Sequence, residues 1–178
     1  MKIYIFGAAG SGTTTQGLHL AMNLNIPYFD SDNYFWEDTP VPFTIRRDPQ
    51  HRNTMVKSDT NKLDSYVIGG GSLPNWNNFW LSAFDLVVFL YIPAEIRIKR
   101  LKERELERYG NEIFSNQARN LQYNEFIAWC TGYDNDTASG RTLSVHRHWI
   151  QKFNCPVLQI LEDLPIQTKT DLILQQIG

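Results

Sequence analysis

The stretch Gly7-Ala8-Ala9-Gly10-Ser11-Gly12-Thr13-Thr14 decides how the rest of this sequence is interpreted. Its outer glycines and its final threonine match the pattern G-x-x-x-x-G-K-[ST], in which backbone N–H groups surround a phosphate chain. An apolar segment, residues 2–6, precedes the stretch, and a helical pattern, residues 13–23, follows it. A strand, a glycine-rich turn and a helix N-terminus are the context that this pattern requires. The stretch therefore predicts a phosphate-binding loop (P-loop).

Thr13 stands where the pattern has lysine, so the predicted loop lacks its usual cation. A unit charge about 4 Å from a phosphate oxygen contributes roughly 4 kcal/mol at an effective dielectric constant of about 20. Its loss slows transfer roughly a thousandfold if the charge acts only in the transition state. Either another cation replaces the lysine, or the protein binds nucleotide with weak or no turnover. The candidate replacements are Arg46, Arg47, Lys57, Arg100 and Arg104.

Composition limits the classes of partner. The chain has 178 residues, enough for one domain with a good-sized core, and a formal charge of −2, which gives no general attraction to nucleic acid or anionic membranes. Cys130 and Cys155 are too few for a disulfide framework, and the N-terminal apolar stretch is too short for a signal peptide. No stretch has the length of a membrane span. We expect a cytoplasmic protein, monomeric or homodimeric, with no nucleic-acid or membrane partner.

Continuous apolar segments alternate with helical patterns along the chain. Strands are predicted at residues 2–6, 26–30, 65–68, 86–92 and 156–161. Helices are predicted at residues 13–23, 50–62, 94–109, 113–131, 140–153 and 166–177. Continuous rather than alternating apolarity is typical of parallel strands that are covered on both faces. The pattern predicts a three-layer α/β/α fold of the P-loop NTPase type, with a five-stranded parallel sheet and helices on both faces.

The motifs follow one another in a specific order. After the P-loop, Asp30-Ser31-Asp32 follows the second strand, a glycine turn ends the third, and an Arg-Leu-x-x-Arg helix, residues 92–104, follows the fourth. This order resembles the nucleoside-monophosphate-kinase-like branch of P-loop proteins, which includes adenylate, cytidylate, shikimate and gluconate kinases. Within the branch the chain is most similar to uncharacterised adenylate-kinase-like ATPases that carry Gly-Ser-Gly-Thr-Thr-Thr in the loop.

The resemblance implies one P-loop kinase-like domain over residues 1–178, with ATP as phosphoryl donor, Mg²⁺ as cofactor and a small acceptor. The core is expected at residues 1–36, 64–109 and 154–178. An acceptor-side insertion is expected at about residues 37–63, and a helical lid at about residues 110–153. The implied activity is transfer of the γ-phosphoryl group to a nucleoside monophosphate or a hydroxyl metabolite.

Candidate site residues fall into three groups. The nucleotide is assigned to Gly7, Ala8, Ala9, Gly10, Ser11, Gly12, Thr13, Thr14 and Thr15. The acceptor is assigned to Asp30, Arg46, Arg47, Gly69, Gly70 and Gly71. Catalysis is assigned to Asp32, Arg100 and Arg104, with Thr14 and Asp32 as metal ligands. A threonine hydroxyl at this position of the loop normally binds Mg²⁺, and a carboxylate near the acceptor can accept a proton.

Each assignment has a structural alternative. Asp30 and Asp32 can cap the helix that follows them, and the triple glycine can be a plain tight turn. The four arginines at positions 97, 100, 104 and 108 share one predicted helix face, but interleaved glutamates are equally typical of a solvated, salt-bridged helix. For the whole protein, the alternatives are a regulatory nucleotide-binding module that has lost catalysis, or a simple NTPase that acts on a protein partner.

Overall fold

All 178 residues are described by the computed structural model, in which five strands form one parallel sheet. The strands are β1 (Lys2–Gly7), β2 (Tyr28–Asp30), β3 (Tyr66–Gly69), β4 (Leu86–Leu90) and β5 (Val157–Ile160). Their spatial order is β2-β3-β1-β4-β5, so β1 lies at the centre. The register pairs Ile5 with Gly69 on one side and Gly7 with Leu90 on the other. The predicted fold class is confirmed.

Nine α-helices connect or cover the strands. They are α1 (Thr13–Leu24), α2 (Ser31–Phe35), α3 (Pro49–Thr60), α4 (Leu73–Trp76), α5 (Ala94–Tyr109), α6 (Glu112–Ser115), α7 (Gln117–Thr131), α8 (Leu143–Ile150) and α9 (Ile166–Leu174). A 3-10 helix spans Asn78–Ser82. No helix combines the length and apolar character that a membrane crossing requires.

The core has two halves because successive side chains of a strand point to opposite faces of the sheet. Ile3 and Ile5 pack on one face with Leu20 of α1 and Ile173 of α9. On the other face, Tyr4 and Phe6 pack with residues of α3, α4 and α8, namely Val56, Leu73 and Trp149. The sheet is therefore the middle layer of three.

The predicted helices differ from the observed ones mainly at their ends. The helix predicted at residues 113–131 is interrupted at Asn116, whose side chain accepts a hydrogen bond from the N–H of Arg119 and so caps α7 at 3.1 Å. The short helix α4 was not predicted, and α2 was considered only as the helix that Asp30 or Asp32 would cap, because runs of four or five residues carry too little periodicity to be recognised. Residues 37–48 form an irregular excursion between α2 and α3.

The sheet order creates a crevice beside β1. The connection that leaves β1 runs through α1 on one face, whereas the connection that leaves β3 runs through α4 on the other. In open α/β sheets, ligands bind where neighbouring strands send their connections to opposite sides, at the carboxyl ends of the strands. Gly7, Asp30 and Gly69 are the last residues of β1, β2 and β3, so they all open into this region.

Candidate active site

The P-loop is a turn in which several backbone N–H groups have no hydrogen-bond partner. Gly10 and Gly12 have φ angles of +81° and +86°, which side chains other than glycine rarely adopt. The N–H and Oγ of Ser11 both donate to the carbonyl of Ala8, at 3.1 and 2.8 Å. The N–H groups of Ala9, Gly10 and Gly12 donate no hydrogen bond, and no side chain caps α1. Free donors at a helix N-terminus are the chemistry that binds an anion.

A buried arginine supports the loop from behind. Arg97 of α5 is fully buried, and its Nε donates to the carbonyl of Ile92 at 2.8 Å. Its Nη1 donates to the carbonyl of Ala9 at 3.3 Å, and its Nη2 forms an ion pair with Asp134. The guanidinium lies 5.0 Å from the ring centre of Tyr133. Arg97 therefore ties β4, the P-loop and the segment after α7 together, and does not face a ligand.

Thr14 and Asp30 meet beside the P-loop. The Thr14 hydroxyl donates to Asp30 Oδ2 at 2.9 Å, and the Tyr28 hydroxyl donates to the same oxygen at 3.2 Å. Asp30 Oδ1 accepts the N–H of Asp32 at 2.9 Å and caps α2. Asp30 therefore acts as the helix cap that was one interpretation of this residue, and also lies against the hydroxyl that was assigned to the metal.

These groups fit a Mg²⁺ ion bound with phosphate. Mg²⁺ keeps several waters and is bound by one or two carboxylates plus substrate phosphates, so it does not need a cage of protein ligands. The structure has no cluster of three or more His, Cys, Asp or Glu side chains arranged as such a cage. The Thr14 hydroxyl and the Asp30 carboxylate supply oxygen ligands at the edge of the loop.

Asp32 lies two residues after Asp30, in the first turn of α2, and forms no ion pair. Water reaches the carboxylate, but the walls of the cleft displace much of its hydration, and this desolvation raises the pKa of Asp32. The charge of Arg141 lowers that pKa, the charge of Asp30 raises it, and Arg104 and Arg108 lower it further. Asp32 is thus a carboxylate whose pKa is raised by desolvation and lowered by the charges of three arginines, a combination that makes it a candidate functional residue.

The glycine turn after β3 packs closely against its neighbours. A methyl group added at Gly70 would lie 1.6 Å from Ser31 Oγ, and one added at Gly71 would lie 2.5 Å from Cζ of Arg141. The Gly71 carbonyl accepts a hydrogen bond from Nε2 of the buried His146 at 3.1 Å, because a carbonyl can only accept. Nδ1 of His146 then accepts the hydroxyl proton of Tyr133 at 2.9 Å. The turn therefore allows close backbone approach and is held in a fixed position.

The five predicted replacement cations lie in different environments. Arg46 is exposed, 5.8 Å from the Phe35 ring, and Lys57 lies 5.0 Å from the Phe79 ring. Arg47 is buried. Its Nε donates a hydrogen bond to the Glu37 carboxylate at 3.2 Å, and its Nη1 donates one to the carbonyl of Asn33 at 2.9 Å. It stabilises the excursion over residues 37–48.

The two remaining candidates lie on α5. Arg100 donates to both oxygens of Asp163, at 2.8 and 3.0 Å, so its charge is directed towards the segment after β5. Arg104 reaches Glu105 at 3.2 Å and lies 5.8 Å from the Phe126 ring of α7. Its Nε is buried without a hydrogen-bond acceptor. Within the predicted set, the charge of Arg104 contributes to lowering the pKa of Asp32.

Two arginines of the site were not predicted. Arg141, from the loop before α8, donates from Nε to Ser72 Oγ at 3.1 Å and lies 5.5 Å from the Trp129 ring. Arg52, on α3, is buried 4.3 Å from the Trp76 ring, and its Nε has no acceptor. The only sequence signal for Arg141 is a glycine–arginine pair without a neighbouring acid. Arg52 carries no signal, because its burial depends on a tryptophan 24 residues away in sequence (from 52 to 76).

The sequence is similar to those of several known proteins. No protein-family profile matches it. It is 36% identical over 177 residues to the uncharacterised protein YqaC of Bacillus subtilis (strain 168), which covers 99% of this chain and 97% of that protein. Over 108 residues it is 32% identical to the shikimate kinase of Acinetobacter baylyi, covering 56% of this chain and 60% of that enzyme. Over 124 residues it is 33% identical to the shikimate kinase of Caldicellulosiruptor bescii, covering 63% of this chain and 72% of that enzyme.

Solved structures show the same fold. A shikimate kinase from Acinetobacter baumannii in complex with shikimate superposes with a TM-score of 0.57 at 22% identity, covering 99% of this chain and 92% of that one. A deoxyadenosine kinase from M. mycoides with bound dATP gives a TM-score of 0.56 at 16% identity, covering 99% of each chain. The chain therefore belongs to the nucleoside-monophosphate-kinase-like family of P-loop proteins, in the branch that contains the shikimate kinases.

Proposed function

We propose that this protein is a kinase that transfers the γ-phosphoryl group of MgATP to a hydroxyl group of a small, anionic acceptor. The observation that carries the proposal is the placement of Asp32, a carboxylate without an ion-pair partner, beside the Thr14–Asp30 pair and the P-loop donors. Kinase relatives and the shared fold support the proposed reaction class.

The proposed reaction divides between two sides of the crevice. The P-loop N–H groups bind the β- and γ-phosphates, and Thr14 and Asp30 bind Mg²⁺, which neutralises phosphate charge when it is bound. On the other side, Asp32 accepts the proton of the attacking hydroxyl. A bond forms between that oxygen and the γ-phosphorus, the bond from the γ-phosphorus to the bridging oxygen breaks, and ADP leaves with the bonding electrons. Most of the rate enhancement would come from positioning and charge neutralisation.

The charge of the acceptor is proposed from the unpaired arginines. Neither Arg52 nor Arg141 belongs to any of the ion pairs of the structure. Both contact the segment that follows β3, Arg141 through Gly71 and Ser72 and Arg52 through the ring of Trp76. A planar guanidinium suits a carboxylate or a phosphate. An acidic hydroxyl metabolite would supply the missing counter-charge; a nucleoside monophosphate would also supply it, but with an ionised phosphate oxygen as the attacking group and no proton for Asp32 to accept.

The test is a calorimetric titration with MgATP, with ADP release measured in parallel with and without pooled acceptors. The pool contains hydroxy acids, shikimate among them, and nucleoside monophosphates. We expect binding of MgATP and ADP release that rises with one acceptor. Asp32→Asn should lower this acceptor-dependent release at least about a hundredfold. Asp171→Asn, an equal charge change on the exposed face of α9, is the control.

A nucleotide-binding regulatory protein is the second candidate, and the absence of the P-loop lysine at Thr13 favours it. In that case MgATP binds, but no acceptor raises the rate of ADP release. No binding of MgATP would contradict both candidates.

A further inference from the structure

Tyr28 lies beside the proposed metal ligands, and the inference drawn from it rests on the proposed function. Tyr28 and Asp30 are two residues apart in β2, so their side chains lie on the same face of the sheet. On that face Tyr28 packs against the half of the core that contains Leu20 of α1. The tyrosine is therefore located between the strand that carries Asp30 and the helix that follows the P-loop.

Two glycines form the slot that the Tyr28 ring occupies. A methyl group added at Gly17, in α1, would lie 2.4 Å from Cε2 of the ring. A methyl group added at Gly69, at the end of β3, would lie 2.4 Å from the hydroxyl oxygen. Glycine inside a helix is unfavourable relative to alanine, and the space that the ring needs explains why position 17 has it. The ring is thus held by α1 on one side and by β3 on the other.

The slot directs the Tyr28 hydroxyl to the Asp30 carboxylate. The hydroxyl donates to Oδ2 at 3.2 Å, and the Thr14 hydroxyl donates to the same oxygen at 2.9 Å. The other oxygen, Oδ1, accepts the N–H of Asp32 at 2.9 Å. Donors from β2, α1 and α2 together define the orientation of this carboxylate. Without the tyrosine hydroxyl, Oδ2 would keep a single donor, which comes from an exposed threonine.

The orientation of Asp30 decides how the Thr14 hydroxyl can bind a cation. A threonine hydroxyl has one hydrogen and two lone pairs, so a hydroxyl that donates its hydrogen to Asp30 keeps its lone pairs for a metal ion. A carboxylate that rotates away releases that hydrogen, which can then point at the ion. Mutation of groups that orient metal ligands typically lowers metal affinity or activity by about 10- to 100-fold.

We propose that Tyr28 is a positioning residue of the metal site: its hydroxyl fixes the Asp30 carboxylate, and through it the Thr14 hydroxyl, in the orientation that binds Mg²⁺ with the phosphates of ATP. Tyr28 touches neither the metal ion nor the reacting atoms, and it gives up no proton. It contributes to the metal-dependent part of nucleotide binding alone. The P-loop N–H groups bind phosphate without it.

The experiment measures the Kd of ATP by calorimetry on the full chain, once with Mg²⁺ and once with EDTA. The ratio of the Kd in EDTA to the Kd in Mg²⁺ is the factor by which the metal ion tightens binding. Tyr28→Phe keeps the ring in its slot and removes the hydroxyl. We expect this variant to lower the ratio about tenfold, and to change the Kd in EDTA by less than about twofold.

Tyr34→Phe is the matched control. The Tyr34 hydroxyl also donates to an aspartate, Asp59 of α3 at 2.9 Å, which is not part of the proposed site. Both variants therefore lose one tyrosine–aspartate hydrogen bond, but we expect Tyr34→Phe to leave the ratio unchanged. Urea titrations of the two variants show whether their stabilities fall by similar amounts.

A double-mutant cycle with Asp30→Asn tests whether Tyr28 acts through Asp30. Asparagine is also a good helix cap, so α2 keeps its start. In the Asp30→Asn background, Tyr28→Phe should change the ratio by less than about twofold. An unchanged ratio in Tyr28→Phe, an equal loss in Tyr34→Phe, or an undiminished effect in the Asp30→Asn background would overturn the inference. A wild type that does not bind MgATP, or binds ATP equally well without Mg²⁺, would instead contradict the proposed function.

Discussion

Gly12 meets two requirements at one position: a backbone conformation with positive φ, and the absence of a side chain beside the loop donors. Its φ of +86° belongs to the left-handed region, and a methyl group added there would meet no protein atom within 4 Å. The free space lies over the uncapped start of α1, where the loop donors point. Glycine is therefore required at this position by backbone conformation, and any side chain would enter the volume of the proposed phosphate.

We predict that Gly12→Val abolishes MgATP binding measured by calorimetry. Gly110→Val is the matched control, because Gly110 also has a positive φ (+56°) and open space around it but lies at the end of α5. Valine at Gly12 carries backbone strain of about 1–2 kcal/mol in the left-handed region, and valine at Gly110, where ψ is −148°, carries more, so loss of binding in Gly12→Val alone reports the phosphate site and not strain. Unchanged affinity in Gly12→Val would contradict the P-loop assignment.

The acids after β2 have separate roles that residue type alone cannot assign. Asp30 accepts three hydrogen bonds, from Thr14, Tyr28 and the backbone of Asp32. Asp32 makes none with its carboxylate and faces the cavity of about 340 Å³ that Trp36 and Phe43 also line. The hydrogen-bonded carboxylate of Asp30 is suited to stabilise the start of α2 or to bind a metal ion. The carboxylate of Asp32, which has no hydrogen bond, is suited to accept a proton.

At the scale of elements, α5 places four arginines in four environments. Regular helical spacing predicted one functional face, but Arg97 is buried under the P-loop, Arg100 pairs with Asp163, and Arg104 and Arg108 lie on either side of Glu105. The helix therefore combines support of the loop with charge at the cleft. Its role as the entry to a lid stays a prediction.

We predict that Arg104→Ala lowers turnover more than MgATP affinity, by roughly tenfold or more, because Arg104 contributes charge near Asp32, whereas Arg100→Ala has the smaller effect on turnover because Arg100 is paired with Asp163. Lys102→Ala removes an exposed cation from the same helix and serves as the control. The measurement is kcat for ADP release set against the Kd for MgATP. Equal losses in both quantities would place these residues in ground-state binding instead.

Helix α8 carries a histidine that stays neutral. Burial among aromatic rings lowers the pKa of His146 from 6.5 to about 3, with the charge of Arg141 as a further cause. The folded protein therefore resists a proton that the unfolded chain accepts below about pH 6.5. The contribution of neutral His146 to the free energy of unfolding is fully present above about pH 6.5. It is lost as the pH falls towards 3, by up to about 1.4 kcal/mol per pH unit.

We predict that His146→Gln makes the free energy of unfolding less dependent on pH between about 6.5 and 3 than in the wild type. Urea titrations at several pH values give the slopes, and the variant is expected to be less stable at pH 7 because a buried contact to Gly71 or Tyr133 is lost. His148→Gln, on the exposed side of the helix, should leave the slope unchanged. Identical slopes for the His146 variant and the wild type would contradict a buried neutral histidine.

For the whole molecule, Arg97 links parts of the chain that are distant in sequence. It contacts the P-loop at Ala9, the end of β4 at Ile92 and the segment after α7 at Asp134. Through Tyr133 and His146, the same buried group continues to the Gly71 turn. The P-loop and the glycine turn after β3 are thus held on one buried framework.

We predict that Arg97→Ala destabilises the protein by about 3 kcal/mol and also weakens MgATP binding. Removing one partner of a buried ion pair leaves the other charge uncompensated, and Asp134 is only 25% exposed. Arg100→Ala, which breaks the more exposed pair with Asp163, should cost less than about 1 kcal/mol. Urea unfolding and calorimetry give both quantities, and equal stability losses in the two variants would contradict the assigned role of Arg97.

The sequence by itself determined the features that depend on local spacing. The P-loop, the five strands and the helices α1, α3, α5 and α9 follow from glycine positions, continuous apolar runs and helical periodicity, all of which act over about a dozen residues. The aspartates after β2 were assigned to the site from the family resemblance, and the glycines after β3 because ligands bind at the carboxyl ends of parallel strands.

Only the tertiary structure decided which charges face that crevice and which are already paired. Arg97 is a buried support of the loop because it forms an ion pair with Asp134. Arg100 is directed away from the crevice because it forms an ion pair with Asp163. Arg141 reached the site from 69 residues beyond Ser72, a distance that no local pattern encodes. An ion pair or a desolvated guanidinium depends on distances between segments that meet only when the sheet forms, so the sequence predicted the phosphate loop but not the cations around it.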